Sequence, residues 1–81
     1  MDKKGFYLGN NNTPPSLPYY ESSKAKGETL YLDSDEFADI ISYYSSNGFY
    51  DEALKAAYDA LSIHPNKEDI LLEKAYIYLY K

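Results

Sequence analysis

The chain has 81 residues, no cysteine and a formal net charge of −5. This length allows one domain, and the lack of cysteine removes disulfides and thiolate metal sites as ways of stabilising a small core. The charge is uneven, because residues 30–81 carry four lysines against ten acidic residues. An acidic surface repels nucleic-acid phosphates and anionic lipids, so we expect neither nucleic acid nor a membrane as partner. A basic protein partner fits this charge better.

The same composition bears on location. No apolar run approaches the length of a membrane span, and the lysine-bearing start of the chain leads into a stretch rich in glycine, asparagine and proline. A secretion signal would place an apolar core there. We therefore predict a cytoplasmic protein.

The first 32 residues favour an irregular N-terminal arm. They contain three of the four prolines, three of the four glycines and a run of three asparagines, which disfavours both helix and strand. We predict an extended or mobile arm over residues 1–32. Pro15–Pro18 fits a minimal polyproline ligand, but no arginine flanks it and we interpret it as linker. Five apolar or aromatic side chains indicate that parts of the arm pack on the helices: Tyr19, Tyr20, Leu30, Tyr31 and Leu32.

A helix start is predicted around Asp33. With Asp33 as N-cap and Glu36 three residues later, the pattern is that of a capping box, which contributes on the order of 1 kcal/mol. Leu32 and Phe37 can then close a hydrophobic staple. A calcium loop does not fit, because Phe37 and Ala38 stand where an acid or amide and a glycine are required. We predict no metal site here.

Two amphipathic helices are predicted next, over about 34–47 and 50–63. The first has Phe37, Ile40, Ile41 and Tyr44 at the spacing that forms one apolar stripe. Gly48 is expected to end it as a C-cap. The second repeats the period with small and apolar residues, Ala53, Leu54, Ala57, Ala60 and Leu61, and Pro65 prevents its continuation. The chain therefore contains a helical hairpin.

A third helix is predicted over about 67–81, with Asn66 as its N-cap. Its apolar residues cover almost the whole circumference: Ile70, Leu71, Leu72, Ala75, Tyr76, Ile77, Tyr78, Leu79 and Tyr80. Such a helix requires burial on more than one side, which one hairpin does not provide. Two explanations are open. The chain is the front of a longer protein, which we favour for the natural molecule, or a second copy covers the stripe, so that this 81-residue chain self-associates.

The order of residue types resembles the tetratricopeptide repeat, a helix-turn-helix unit of 34 residues. Gly48-Phe49-Tyr50-Asp51-Glu52-Ala53 matches the Gly-x-Tyr-Asp-Glu-Ala turn of that family, and Ala60 and Pro65 stand at its alanine and closing proline. Phe37, Ile40 and Tyr44 fit its first helix, although Ile41 and Ala57 depart from the usual small residue and aromatic residue. Leu71, Ala75 and Tyr78 follow Phe37, Ile41 and Tyr44 by 34 residues, whereas Lys74 replaces an apolar residue. The resemblance covers one repeat and the first helix of a second.

The resemblance implies an all-α superhelix that binds a peptide or a partner's helix along the first helix of each repeat. Its groove-facing positions are Asp35, Ala38, Ser42 and Ser45, then Asp69, Leu72, Tyr76 and Leu79. Family members that grip a C-terminal carboxylate use a lysine and an asparagine where Ala38 and Ser42 stand, so we do not expect that mode. The implied function is a protein-binding scaffold. The alternative is a structural element that self-associates through its last helix, in which case Leu72, Tyr76 and Leu79 serve as contacts between helices or copies.

An enzyme is not expected. The chain has no nucleophile-base pair and no phosphate-binding glycine loop, and three helices enclose no pocket. His64 is the only histidine, at a predicted helix C-terminus, where it most often interacts with the helix dipole or a carbonyl. We therefore predict no catalytic residue and no cofactor.

Overall fold

The computed structural model describes residues 13–80, and that part of the chain forms four helices and no strand. The helices are α1 (Leu17–Ala25), α2 (Ser34–Ser46), α3 (Tyr50–Ile63) and α4 (Glu68–Tyr80). The predicted all-α fold is confirmed, and α2, α3 and α4 begin and end within one residue of the predicted bounds wherever those bounds are described. Residues 1–12 of the predicted arm and Lys81 of the predicted last helix lie outside the described residues.

The start of α2 is held by the predicted capping box. Asp33 has extended backbone angles, and its N–H donates to Oε1 of Glu36 at 3.0 Å. The Asp33 side chain in turn accepts a hydrogen bond from the backbone N–H of Glu36, the third residue of the helix. Leu32 and Phe37 are both buried in the same core, where a hydrophobic staple would place them. The entry of the chain into α2 is therefore determined locally.

The end of α2 is a Schellman turn. Gly48 has φ of +79°, the left-handed region that favours glycine, and its N–H donates to the Ser45 carbonyl at 3.1 Å. The N–H of Phe49 donates to the Tyr44 carbonyl at 2.8 Å. The predicted glycine stop is confirmed, with Asn47 as the C-cap and Gly48 as the left-handed residue that follows it, and three residues then suffice to turn the chain back into α3.

The core lies between α2, α3 and α4. From α2 it takes the predicted stripe of Phe37, Ile40, Ile41 and Tyr44, all buried. From α3 it takes four alanines and one leucine: Ala53, Leu54, Ala56, Ala57 and Ala60. Leu61, which the pattern also assigned to the stripe, is only half-buried. The small side chains of α3 allow its neighbours to approach closely, and α4 adds Ile70 and Ile77.

The prediction of an irregular arm is wrong for residues 17–25, which form α1. Pro18 lies in the first turn, where its missing N–H removes no helical hydrogen bond. Gly27, with φ of +72°, ends the helix in a second Schellman turn, in which the N–H of Glu28 donates to the Ser23 carbonyl at 2.9 Å. Only Leu17 and Tyr20 of α1 are buried, so its amphipathic period is too weak to be visible in the sequence.

Polar contacts fix α1 to the hairpin. The Tyr20 hydroxyl donates to Oδ2 of Asp59 on α3 at 2.6 Å, and Nζ of Lys24 pairs with the same oxygen at 2.9 Å. The Tyr44 hydroxyl donates to Oε2 of Glu21 at 2.6 Å. The ring of Tyr20 packs edge-on against Phe37, with ring centroids 6.1 Å apart. The apolar side chains of the arm are thus divided, because Tyr20 and Leu32 are buried whereas Tyr19 and Tyr31 are exposed.

His64 closes the hairpin at its open end. Its Nε2 lies 2.8 Å from the Leu32 carbonyl oxygen, so this nitrogen carries the proton and donates it. The ring also contacts Tyr31 and Phe37 edge-on. Of the two roles predicted for this histidine, contact with the helix dipole or with a carbonyl, the structure shows a carbonyl contact, and the carbonyl belongs to Leu32 rather than to the end of α3. It ties the residue that follows α3 to the residue that precedes the N-cap of α2.

Candidate docking groove between the second and fourth helices

The fourth helix buries one narrow side and exposes the rest. Ile70 and Ile77, seven residues apart, are fully buried, whereas six large apolar or aromatic side chains are exposed: Leu71, Leu72, Tyr76, Tyr78, Leu79 and Tyr80. At 100° per residue, the seven positions 71, 72, 75, 76, 78, 79 and 80 fall on one continuous arc, on which the only charged residues of the described helix are Glu68 and Asp69 in its first turn. We call the part formed by Leu71, Ala75 and Tyr78 the outer face of α4.

A groove runs between α2 and α4 and contains two adjoining cavities. One, with a volume of about 380 Å³, is lined by Ser42, Ser45, Ser46, Leu72, Glu73 and Tyr76. The other, of about 280 Å³, is lined by Ser45, Ser46, Tyr50, Tyr76, Ile77 and Tyr80. Later residues of α2 face later residues of α4 in both, so the two helices run in the same direction.

The structure brings four of the eight predicted groove residues together. Ser42, Ser45, Leu72 and Tyr76 line the larger cavity, with the serines half-buried and Leu72 and Tyr76 exposed by 68% and 55%. The other four do not line either cavity. Asp35 and Asp69 are exposed in the first turns of their helices, Ala38 is half-buried, and Leu79 projects into solvent with 79% of its surface exposed.

Five lining residues were missed by the sequence interpretation: Ser46, Tyr50, Glu73, Ile77 and Tyr80. Glu73 and Tyr80 could have been predicted from helical spacing. Glu73 lies one helical turn before Tyr76 and Ile77, and Tyr80 lies one helical turn after them, so all four share one side of α4. Ser46 and Tyr50 flank the turn between α2 and α3. Their position depends on how the chain reverses there, which helical periodicity alone does not give.

The groove carries negative charge, because the carboxylate of Glu73 lies in its wall next to the rings of Tyr76 and Tyr80. The Ser42 hydroxyl donates to Oε2 of Glu73 at 3.2 Å, which joins the two walls. Helical spacing places Asp69 one turn before Glu73 on the same side of α4. None of the residues lining the two cavities in the described part of the chain is positively charged.

The far end of the groove is aromatic. The rings of Tyr76 and Tyr80 lie 4.7 Å apart at a tilt of 56°. A hydrogen bond with the Tyr80 side chain raises the pKa of Tyr76. The groove thus changes from acidic at Glu73 to aromatic at Tyr80.

The opposite side of α4 packs against α3 through polar atoms. Nζ of Lys74 lies 4.4 Å from the ring centroid of Tyr58, and the hydroxyls of Tyr58 and Tyr78 lie 2.9 Å apart. Lys74, which departs from the apolar residue of the repeat pattern, is therefore used as a cation over an aromatic ring.

Over residues 13–80, no group of three or more histidine, aspartate or glutamate side chains is placed to hold a metal ion. Within the same range, no helix has both the length and the apolar character needed to cross a membrane. Comparison with protein-family models finds no match, and comparisons with curated proteins and with solved structures find none either.

Proposed function

We propose that this chain is a non-enzymatic protein-binding module of the tetratricopeptide-repeat type, which receives a peptide or a partner's helix in the groove between α2 and α4. The observation that carries the proposal is the pair of large exposed side chains, Leu72 and Tyr76, over a floor of small serines. Exposed apolar groups beside a concave surface are typical of protein interaction sites. Small floor residues let a partner backbone approach closely.

The test uses a random-peptide display library, because the partner is unidentified. Peptides selected on the wild-type chain are measured by fluorescence anisotropy against Leu72→Ser and Tyr76→Ser. Each substitution removes an apolar contact, and we expect each to weaken binding about tenfold or more.

The matched control is Tyr19→Ser, which removes an exposed aromatic ring from α1 that lines neither cavity of the groove. It should leave binding unchanged. Failure of the library to yield any binder, or equal binding by all four proteins, would overturn the proposal. Circular dichroism establishes that each variant is folded.

A second candidate is self-association through the exposed arc of α4. Its six large side chains expose roughly 100 Å² each, which gives roughly 600 Å², approaching the area of about 800 Å² per partner in stable interfaces. The charged residues of this arc, Glu68 and Asp69, lie in the first turn of α4, so two copies can meet along its later turns without placing like charges opposite each other, despite a net charge of −5 each. A dimer formed this way covers the groove.

Sedimentation equilibrium over a wide concentration range separates the two candidates. Self-association predicts a concentration-dependent dimer that Leu71→Glu abolishes and Tyr19→Glu does not. A peptide-binding groove predicts instead that Leu71→Glu leaves peptide affinity unchanged. A wild-type chain that stays monomeric at high concentration would exclude the oligomerisation role.

A further inference from the structure

The groove has one acidic end and one aromatic end, and this polarity restricts what it can hold. Glu73 lies in the wall of the larger cavity, and Ser42 donates to only one of its oxygens. A carboxylate accepts several hydrogen bonds, so it retains acceptor capacity toward a bound group. Asp69, one turn earlier, adds negative charge at the same end.

No cation among the described residues competes for this carboxylate from within the groove. The nearest lysine in sequence, Lys74, is engaged over the Tyr58 ring on the side of α4 that faces α3. A negatively charged partner segment would therefore meet repulsion without compensation. A lysine or arginine of a partner finds both a carboxylate and, beyond it, aromatic rings.

We propose that the groove selects a partner segment with a lysine or arginine two to three residues from an apolar or aromatic residue. The inference rests on the proposed peptide-binding function and adds the chemistry of the partner. The spacing follows from geometry: Glu73 and Tyr80 are seven residues apart, which is about 10 Å along a helix. An extended peptide covers that distance in about three residues. The basic side chain pairs with Glu73, and the apolar one packs on Tyr76 and Tyr80.

The first measurement is the composition of the selected peptides. Lysine and arginine should be enriched over aspartate and glutamate at one position, with an apolar or aromatic residue two or three positions away. Binders without a basic residue would overturn this inference and leave the proposed function standing. The absence of any binder would instead count against the proposed function itself.

The second measurement is the effect of Glu73→Gln on one selected basic peptide and on the same peptide with its basic residue replaced by norleucine. Glutamine keeps the size of the side chain and an oxygen that accepts from Ser42. We expect about fivefold weaker binding of the basic peptide and no change for the norleucine peptide. Added salt should reproduce the loss in the wild-type chain.

The matched control is Glu52→Gln, which neutralises an exposed acid on α3 beside α1, outside the groove. It changes the net charge equally, so it reports any general electrostatic attraction of a basic peptide to an acidic protein. Equal losses for Glu52→Gln and Glu73→Gln would show attraction without a site, and would overturn the inference.

Discussion

The second and fourth helices carry corresponding apolar residues 34 positions apart, and yet they differ in burial. Phe37 and Tyr44 of α2 are exposed by 1% and 7%, whereas Leu71 and Tyr78 of α4 are exposed by 46% and 56%. Ile41 is fully buried and Ala75 is exposed. The difference is the neighbour: α3 covers this face of α2, whereas on the outer face of α4 Leu71 and Ala75 are exposed and Tyr78 is contacted at its hydroxyl by Tyr58 of α3. A core position is defined by what packs on it.

The residues that α4 buries stand at other positions of the 34-residue period than the buried residues of α2. Ile70 and Ile77 correspond to Glu36 and Tyr43 of α2, which lie outside the fully buried set. At α4 these positions join the core formed with α2 and α3. The helix that precedes α2 in the chain is α1, and it contributes its own buried residues, Leu17 and Tyr20, to the core.

The largest expected effect comes from truncating corresponding residues of the two helices. Phe37→Ala should lower the free energy of unfolding by about 3–5 kcal/mol, because it leaves a cavity in the core. Leu71→Ala should lower it by less than about 1 kcal/mol, since half of that side chain is already in solvent. Urea unfolding followed by circular dichroism, at a concentration where the chain is monomeric, measures both. Similar losses would mean that the outer face of α4 is covered.

A smaller effect concerns the contacts that α1 makes with α2 and α3. Burial and a hydrogen bond to a carboxylate raise the pKa of both Tyr20, at Asp59, and Tyr44, at Glu21. The folded state therefore keeps these protons when the unfolded chain, with tyrosine pKa values near 10, loses them. This stabilisation is complete below about pH 10 and is lost as the pH rises toward the raised values.

We expect the free energy of unfolding to fall more steeply above pH 10 in the wild-type chain than in a Tyr20→Phe, Tyr44→Phe double variant. At neutral pH the double variant should be less stable by about 1–3 kcal/mol, the contribution of hydrogen bonds to charged groups. Urea unfolding at pH 8 and above pH 10 gives both quantities. Identical pH dependence in the two proteins would show that these contacts are not maintained in solution.

The two Schellman turns provide the next comparison. Gly48→Ala should lower the global stability by about 1–2 kcal/mol, because alanine is strained at positive φ and no atom lies within 4 Å of its Cβ to add a clash or a contact. Gly27→Ala introduces the same strain into α1, which buries only two side chains. We expect it to reduce mainly the hydrogen-exchange protection of α1 amides. An equal global loss from both would mean that α1 folds with the hairpin as one unit.

The smallest expected effect is at the start of α2. Asp33→Ala removes the capping box and should lower stability by about 1 kcal/mol. Asp35→Ala, at an exposed position in the first turn, removes only a charge near the helix dipole and should lower stability by less than about 0.5 kcal/mol. Thermal unfolding of the two variants side by side measures the difference. A larger loss from Asp35 would identify the dipole, rather than the cap, as the main stabilising factor.

The ends of the helices and the buried face of α2 were predictable from the sequence, because each depends on residues that are close together in the chain. The capping box at Asp33, the glycine stop at Gly48 and the stop at Pro65 depend on a few adjacent residues, and the helical stripe of α2 depends on period alone. The burial of α4 was harder to predict, because the repeat identifies Leu71 and Tyr78 as counterparts of core residues without showing whether a covering helix exists.

The helix α1 was missed for a related reason. Its fixation depends on partners 39 and 23 residues away, the Tyr20 contact with Asp59 and the Tyr44 contact with Glu21. Such long-range pairings produce no apolar period within the nine residues of α1, and the proline among them also argues against a helix. In the candidate groove, half of the predicted residues line a cavity. Glu73 does not stand at a groove position of the repeat pattern, so only its charge and its helical spacing from Tyr76 indicate it.

The bond between His64 and the Leu32 carbonyl has a consequence for how the chain could be lengthened. It holds the side chain of the exit residue against the backbone of the entry residue, with 2.8 Å between Nε2 of His64 and the Leu32 carbonyl oxygen, so the two ends of the hairpin lie side by side. A segment whose two ends meet can be copied in tandem or moved to a new position with little disturbance to the residues around it. Residues 32–64 therefore form a natural cassette, and inserting a second copy after His64 is a direct way to build a longer molecule from this one.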